Sequence, residues 1–548
     1  MRIGGIASGM DTEQMVQDLM KAESMRLNKY TREQEALTWQ REAFNTTNKK
    51  LAEFILEVRK DFGLTKTTSS GTIVSSSKNS FDWVKSANVS NESVATATAS
   101  ANAMSGTHKI KVGQLAEGAS VTSQDIKGLL NEDKTFKASA YGDITITTSK
   151  GTDTLTIGTN EGEIGNVNDL VSAINNAADG DTNLGLKAAY DKDLGKLMIN
   201  TKDQGENQNI VIASNATVDL IFGGNISEQG KDAEIWFNES NPDDTNVIKK
   251  SSNNFSIYGV NYQLKSEGEI TVNVDTNVEG MMEKITGFVD KYNELIDEIN
   301  GKLGEKEYRD YQPLTSEEKE AMTEKEIELW EEKAKSGLLK NDATLTRTLQ
   351  SMRSGLYDSV YTDGSNTQNK DNLLPGFSHI TQIGITTGNY QSGGKLEIDE
   401  NKLRAAINDN PEGVVDLLFK TSDTKVDEES ADYNDQKAQH SAESGLVNRL
   451  FDGMISGMQE VVRVSGPGED ASLFRSVKSN MLIDFVTGGS MSKIDKNIMN
   501  IGDRISREER LLASKESRYW SQFTAMEKAM EEMNQQSGWL MSQLGQMG

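Results

Sequence analysis

The side chains that most often carry chemistry are few in this sequence, and their spacing does not suit it. The three histidines, His108, His379 and His440, lie far apart, and none belongs to a Cys/His/carboxylate pattern with metal-ligand spacing. There is no cysteine, which removes thiol nucleophiles, disulfide scaffolds and cysteine zinc sites together. No Gly-x-Ser-x-Gly elbow, phosphate loop, dinucleotide fingerprint or His-Glu-x-x-His is present. Ser465-Gly466-Pro467-Gly468 lacks the Lys-Ser/Thr that would make it a phosphate cradle, and the acidic run Asp423 to Asp435 lacks the alternating ligands and central glycine of a calcium loop. With 84 acidic residues some carboxylates always end up close, so carboxylate pairing carries no information. These residues predict a chain that is not an enzyme and uses no cofactor or metal.

What the sequence does pattern is helix. Asp11 stands as an N-cap, with Gln14 where a capping-box partner reaches back and Met10 and Met15 at the staple positions. Beyond it Tyr30, Leu37, Phe44, Leu51 and Val58 recur every seven residues. A second seam (Leu27, Gln34, Arg41, Asn48, Ile55, Phe62) is apolar at its ends and polar in its middle. The other end of the chain mirrors this. Met491, Ile498, Ile505, Leu512, Tyr519, Met526, Met533, Leu540 and Met547 repeat every seven, beside a seam interrupted by Glu508, Lys515 and Gln522. The expectation is an antiparallel pairing of the two ends, polar interval against polar interval. Many of the 21 methionines lie here, where flexible thioethers either fill a core or adapt to varied neighbours.

Between these ends the period changes. Asp143–Thr147 and Thr154–Ile157 alternate as half-buried strands about a turn at Lys150–Asp153, Val167–Ala178 reads as a short helix, and Lys196–Ile199 and Asn209–Ile212 return to strand. Phe255–Leu264 and Glu269–Val274 read as further strands. Helix resumes with a capping box at Thr276 and Glu279, and further starts fall at Thr315 (with Glu318), Asp342 and Asn410-Pro411. The fold class is therefore α+β multidomain, a β-rich insertion carried on a helical base. At 548 residues the chain is long enough for roughly three to four domains.

The net charge of −26 disfavours nucleic acid and anionic membrane surfaces as partners. Acids and bases nearly balance over Glu13–Lys60 and Lys493–Glu532, so the ends suit close packing against copies of themselves while the acidic middle suits solvent. The N-terminus has no apolar signal core and no stretch is long enough to span a bilayer, so any export is expected without a cleaved signal.

Gly5-Ile6-Ala7-Ser8-Gly9-Met10-Asp11-Thr12-Glu13, followed by Val16-x-x-Leu19-Met20-x-Ala22-Glu23, closely resembles the opening of flagellar hook-associated protein 2, the filament cap family. Phe288–Ile296, Ser336–Leu339 with Asn341-Asp342, Ile383–Thr387 through Gly394–Leu396, and the tail Phe523–Glu527 with Met533-Asn534 and Trp539-Leu540 are similar to it too. Asn168-Asp169-Leu170-Val171-x-x-Ile174-Asn175 looks like a short motif of flagellar axial proteins. The resemblance implies a terminal α-helical coiled coil (1–42 and 508–548) and a helical stalk (43–75 and 276–507). It also implies nested β-rich head domains, one at 76–117 and 231–275 and a second at 118–230. It implies a secreted cap at the distal tip of the bacterial flagellum, retaining exported flagellin and promoting its polymerisation. Its partners would be copies of itself in a ring, a pentamer by resemblance, with flagellin, a hook–filament junction protein and an export chaperone. Self-assembly and filament contact are expected at Ser8, Gly9, Met10, Asp11, Leu37, Phe44, Leu51, Leu512, Tyr519, Met526, Met533 and Leu540. The alternative is a surface adhesin using the β-rich head.

Overall fold

A computed structural model describes residues 11–544 apart from 69–72, 240–242, 244, 389–391, 428, 488 and 490. The chain divides into two compact units, one made of residues 1–66 and 282–548 and the other of residues 67–281. The turn at Asn241-Pro242 and the middle of the Ser/Thr/Gly-rich stretch after Thr65 lie outside the described residues.

The 67–281 unit is antiparallel β. A five-stranded sheet runs Ile248–Lys250, Ala233–Phe237, Gly106–Gln114, Gly268–Thr276, Lys85–Val89, and a three-stranded one Asn254–Ile257, Val260–Leu264, Ala95–Ala99. Their alternating inward residues, among them Ile110, Val112, Val260, Tyr262, Val272 and Val274, share one core. The sequence reading of Phe255–Leu264 as continuous strand is corrected to a tight hairpin. Tyr258 at φ 48° and Gly259 at φ 80° turn the chain, the two positive angles that a type I′ turn requires. Tyrosine is a poor residue for that turn, which is why the sequence hides it.

The buried residues of a second core run from Ala119 to Phe222, with Ile226 packed against them. It is covered by a four-stranded sheet (Ile226–Gln229, Asn209–Ile212, Gly142–Thr148, Gly151–Ile157) and a three-stranded one (Leu186–Asp191, Lys196–Thr201, Ser120–Thr122). The helix Val167–Asn176 buries Val167, Leu170 and Ile174 in it and is capped by Asn166, whose side chain accepts from the Asn168 and Asp169 N–H groups.

The other unit is helical. Thr12–Glu23 and Met25–Asp61 lead, Val278–Gly304, Ala343–Tyr357 and Leu446–Ser465 follow, and the 52-residue helix Lys493–Leu544 closes the chain. Asp342, Asn410 with Pro411 at the first helical position, and the Thr315–Glu318 box cap the helices the sequence assigns to them. The box at Thr276 is not formed. Thr276 ends a strand, and Asn277 caps instead, its Oδ1 accepting from the Gly280 N–H at 3.0 Å. Leu51, Ile55, Val58 and Phe62 are fully buried, with Phe62 edge-on to Phe419 at 4.6 Å and tilted against Phe288 at 5.9 Å. Each such side chain contributes on the order of 1.5–3 kcal/mol.

Because the β unit has its own two cores, a fragment spanning residues 67–281 should unfold cooperatively by calorimetry on its own. A fragment spanning 66–484 should retain that transition yet lose the helical one, since it lacks the buried Leu51–Phe62 segment. A cooperative helical melt in that fragment would contradict this core.

Candidate functional site

Glu443 is a strongly perturbed acid. Burial by itself would push its carboxyl up. Hydrogen bonds from Ser422 Oγ (2.5 Å), Gln439 Nε2 (2.8 Å), the Gly364 N–H (3.2 Å) and Thr424 Oγ1 (2.9 Å) outweigh that and hold it down to about 2. Beside it Arg449 is buried, and burial draws its pKa down to about 10. Its guanidinium donates to the carbonyls of Ser444, Asp358, Ser359 and Ala442 at 2.8–2.9 Å. His440 is raised by its contact with Asp452, and its Nδ1 lies 2.9 Å from the Thr424 carbonyl. Every one of these groups is spent on holding the segments 358–364, 420–424 and 439–449 together. The cluster is a clasp. Among the described residues no group of three or more His, Cys, Asp or Glu is placed to hold a metal, and no helix is long and apolar enough to cross a membrane.

A folded-state pKa held below its unfolded value gives stability that is present above the unfolded pKa and lost as pH falls through the folded one. Glu443→Gln should therefore lower the melting temperature at pH 7, by a loss of roughly 2–3 kcal/mol. The gap to the parent should close as pH falls from about 4.5 toward 2. A gap that stays constant to pH 2.5 would show that the carboxylate charge is not what the clasp uses.

The helical ends form the other candidate. Asp11 caps the leading helix as expected, its Oδ1 accepting from the Gln14 N–H at 2.9 Å, but Gln14 does not reach back: its amide donates to Asp18 Oδ1 at 3.1 Å. Thr12–Glu23 and Met25–Asp61 follow each other almost without a break at Ser24, where the N–H still donates to the Met20 carbonyl. Both run antiparallel to the closing helix. Arg41 pairs with Asp495 (2.8 Å), Arg26 with Glu508 (3.1 Å), and Glu23 with Lys515 and the Tyr519 hydroxyl. The helices are therefore not registered with polar interval against polar interval. Glu508 and Lys515 meet Arg26 and Glu23, which lie outside the second seam, and Arg41 meets an acid at the start of its partner. The side-chain hydrogen bonds from Lys515 and Tyr519 also lower the pKa of Glu23. The third polar seam residue, Asn48, is fully buried and turns to another helix, its Nδ2 donating to the Met458 carbonyl at 3.4 Å.

This register decides where the expected contact residues fall. Ser8, Gly9 and Met10 lie outside the described residues, and Asp11 is exposed at its cap. Phe44 and Leu51 are 2% and 0% exposed, interior residues that offer no surface to another chain. Leu37, Leu512, Tyr519 and Met526 are half-buried along the helix pair. Met533 and Leu540, on the same seven-residue spacing, are 62% and 55% exposed. Glu527 is still buried, and residues 531–542 all stand exposed. Sequence periodicity finds the seam but not the point where its cover ends, because that depends on the register of two distant helices. Hydrogen exchange on dilute protein should show the consequence: slow exchange over Phe44–Val58 and fast exchange over 531–544. Strong protection of 531–544 in a demonstrated monomer would refute this register.

Comparison with known proteins follows the same outline. The family described as "Flagellar hook-associated protein 2 N-terminus" matches residues 8–119, and "Flagellar hook-associated protein 2 C-terminus" matches residues 230–535. The interval between the two matches holds the second β core. Flagellar hook-associated protein 2 of Halalkalibacterium halodurans is 32% identical over 582 aligned residues, covering 98% of this chain and 98% of that one. The Escherichia coli K12 protein of the same name is 23% identical, covering 98% and 97%. The crystal structure of the flagellar cap protein FliD D1-D2-D3 domains from Escherichia coli aligns with 78% of this chain and 95% of its own at 19% identity, with a TM-score of 0.44. That family is a structural one, not an enzyme family, and with both of its halves matched in order and a relative aligned end to end, this chain belongs to the flagellar hook-associated protein 2 family.

Proposed function

We propose that this protein caps the distal tip of a bacterial flagellum, keeps exported flagellin from escaping, and promotes its addition to the growing filament. The whole-length match to flagellar hook-associated protein 2 carries the reading. It acts outside the cell as a ring of identical copies. Flagellin, a hook–filament junction protein and an export chaperone are its partners. The division into a terminal coiled coil (1–42, 508–548), a stalk (43–75, 276–507) and two nested head domains (76–117 with 231–275, and 118–230) belongs to the same proposal. Two observations support that division: burial deepens along the second helix at Phe44, and residues 119–222 form a core of their own.

Assembly rests on the closing helix. Met526, Met533 and Leu540 share one face, and the latter two contribute nothing to the isolated fold because they are exposed. Buried against a neighbour, each would contribute on the order of 1.5–3 kcal/mol. Changing all three to Asp should leave the thermal transition of the 67–281 unit nearly unmoved while monomeric flagellin accumulates in the medium of cells carrying it. Deleting the gene should give the same leakage. Full-length filaments without leaked flagellin after deletion would remove the capping role. The same result for the triple variant alone would remove only this face from it.

A further inference from the structure

The closing helix ends in a tail whose composition departs from the rest of the chain. After Glu531 and Glu532, residues 533–544 carry no charge in a protein where 26% of residues are charged. Met533, Trp539, Leu540 and Met541 are 62, 62, 55 and 74% exposed. Twelve helical residues span about 17 Å.

A groove of matching length lies on the second helix. It has a volume of about 480 Å³ and is lined on that helix by Met25, Asn28, Lys29, Arg32 and Ala36, with Gln312 and Pro313 as its far wall. The spacing of these positions puts them on one helical face. They lie opposite the face bearing Thr12, Val16, Glu23, Leu27 and Tyr30, which runs along the closing helix. Met25, 71% exposed, opens one end. The wall is fastened by Arg32, which donates to Gln312 Oε1 (3.2 Å) and to Glu318 Oε1 (2.6 Å). The groove offers Lys29 beside Glu33, with Arg32 already paired to Glu318, whereas the charges on the tail beyond Lys528 are Glu531 and Glu532.

The two surfaces cannot meet within one chain. Arg26 stands opposite Glu508, so Asn28 and Leu540 are separated along the closing helix by more than thirty residues, roughly 50 Å.

We propose that the tail of the closing helix, residues 533–544, docks into the Met25–Ala36 groove of a second copy of this chain. This rests on the self-assembly in the proposed function and supplies its geometry. The joint is heterologous, tail of one copy to groove of the next, so every chain gives a tail and receives one. Size argues for such closure. Trp539, Leu540 and Met541 are consecutive and point around more than half of the helix, so Met533 and Leu540 lead the face that enters the groove and a single joint is small for a specific interface. A closed ring gives each chain two joints. Charge argues for the place, because two copies each at −26 repel unless they meet where the surface is neutral or complementary.

The absence of cysteine makes the joint directly readable. Asn28→Cys and Leu540→Cys lie near the middle of groove and tail, so the result does not depend on which way the tail runs. With a short bis-maleimide at concentrations where the chain assembles, the full-length double variant should give a ladder of covalent multimers. A mixture of the two single variants should stop at a dimer, and each single variant alone should give none. A ladder missing from an assembly that still sediments as an oligomer would overturn the joint, as would dimers formed by Leu540→Cys alone, which report a two-fold tail-to-tail contact. The leakage assay keeps the two ideas apart: both single variants unlinked, no ladder, and flagellin fully retained would sink this joint while leaving capping intact. Loss of the ladder in Lys29→Glu, with its return when Glu531→Lys and Glu532→Lys are added, would confirm the polarity of the pairing.

Discussion

The helical unit depends on residues near the N-terminus being buried among residues that follow almost four hundred positions later. Leu51, Ile55, Val58 and Phe62 have no exposed surface, and their neighbours include Phe419 and the helix Leu446–Ser465. The chain must therefore leave this unit at Lys66, build an independent β unit, and return at Met282 before the core can close. Loop-closure entropy grows only as the logarithm of the excursion, so a long insertion costs little more than a short one. Pre-folding of the β unit also turns most of that excursion into a compact body. What the arrangement does demand is that the β unit carry cores of its own. Its two self-contained cores meet that demand.

Polar residues within the helical seams have the opposite consequence to the one their composition suggests. Read along one helix, Gln34, Arg41, Asn48, Glu508, Lys515 and Gln522 look like gaps in a hydrophobic joint. Three of them are instead halves of defined pairs: Arg41 with Asp495, Glu508 with Arg26, and Lys515 with Glu23. Exposed pairs of this kind contribute little stability. Their value lies in register, since slipping the closing helix by one turn would set each of these charges against the wrong neighbour. Asn48 acts similarly toward the Met458 carbonyl inside the core, where misalignment would cost a buried hydrogen bond.

Legibility in the sequence followed the range of the interaction. Caps are local, and Asp11, Asp342, Asn410-Pro411 and Thr315–Glu318 were all readable, as were the alternating strands of Gly142–Ile157. Thr276 misled because a strand running into a helix gives two adjacent residues, Thr276 and Asn277, each able to cap, and the sheet claims the first. Tyr258 misled because its positive φ is imposed by hairpin pairing and not by its own preference. The Glu443–Arg449 clasp was invisible for a deeper reason: its partners come from three separated segments, and no spacing rule connects Gly364, Thr424 and Glu443. For the same reason Phe44 and Leu51, faultless members of a seven-residue seam, could not be assigned from the sequence to the interior of one chain or to a contact between chains.

That last ambiguity is what the closing helix resolves. Its seam keeps one spacing from Ile498 to Leu540, yet it passes from half-buried at Met526 to exposed at Met533 and Leu540. Exposed Met, Trp and Leu side chains at consecutive positions invite association. Here the apolar spacing continues and the charges disappear together. Loss of charge is unfavourable for solubility in an acidic chain unless that surface is destined to be covered. The two changes lie within a few residues of each other, and this coincidence is the physical ground for reading one helix as two surfaces: an inner one, laced by Arg26, Arg41 and Lys515, that packs within the chain, and an outer one, without charge, that the proposed joint would cover.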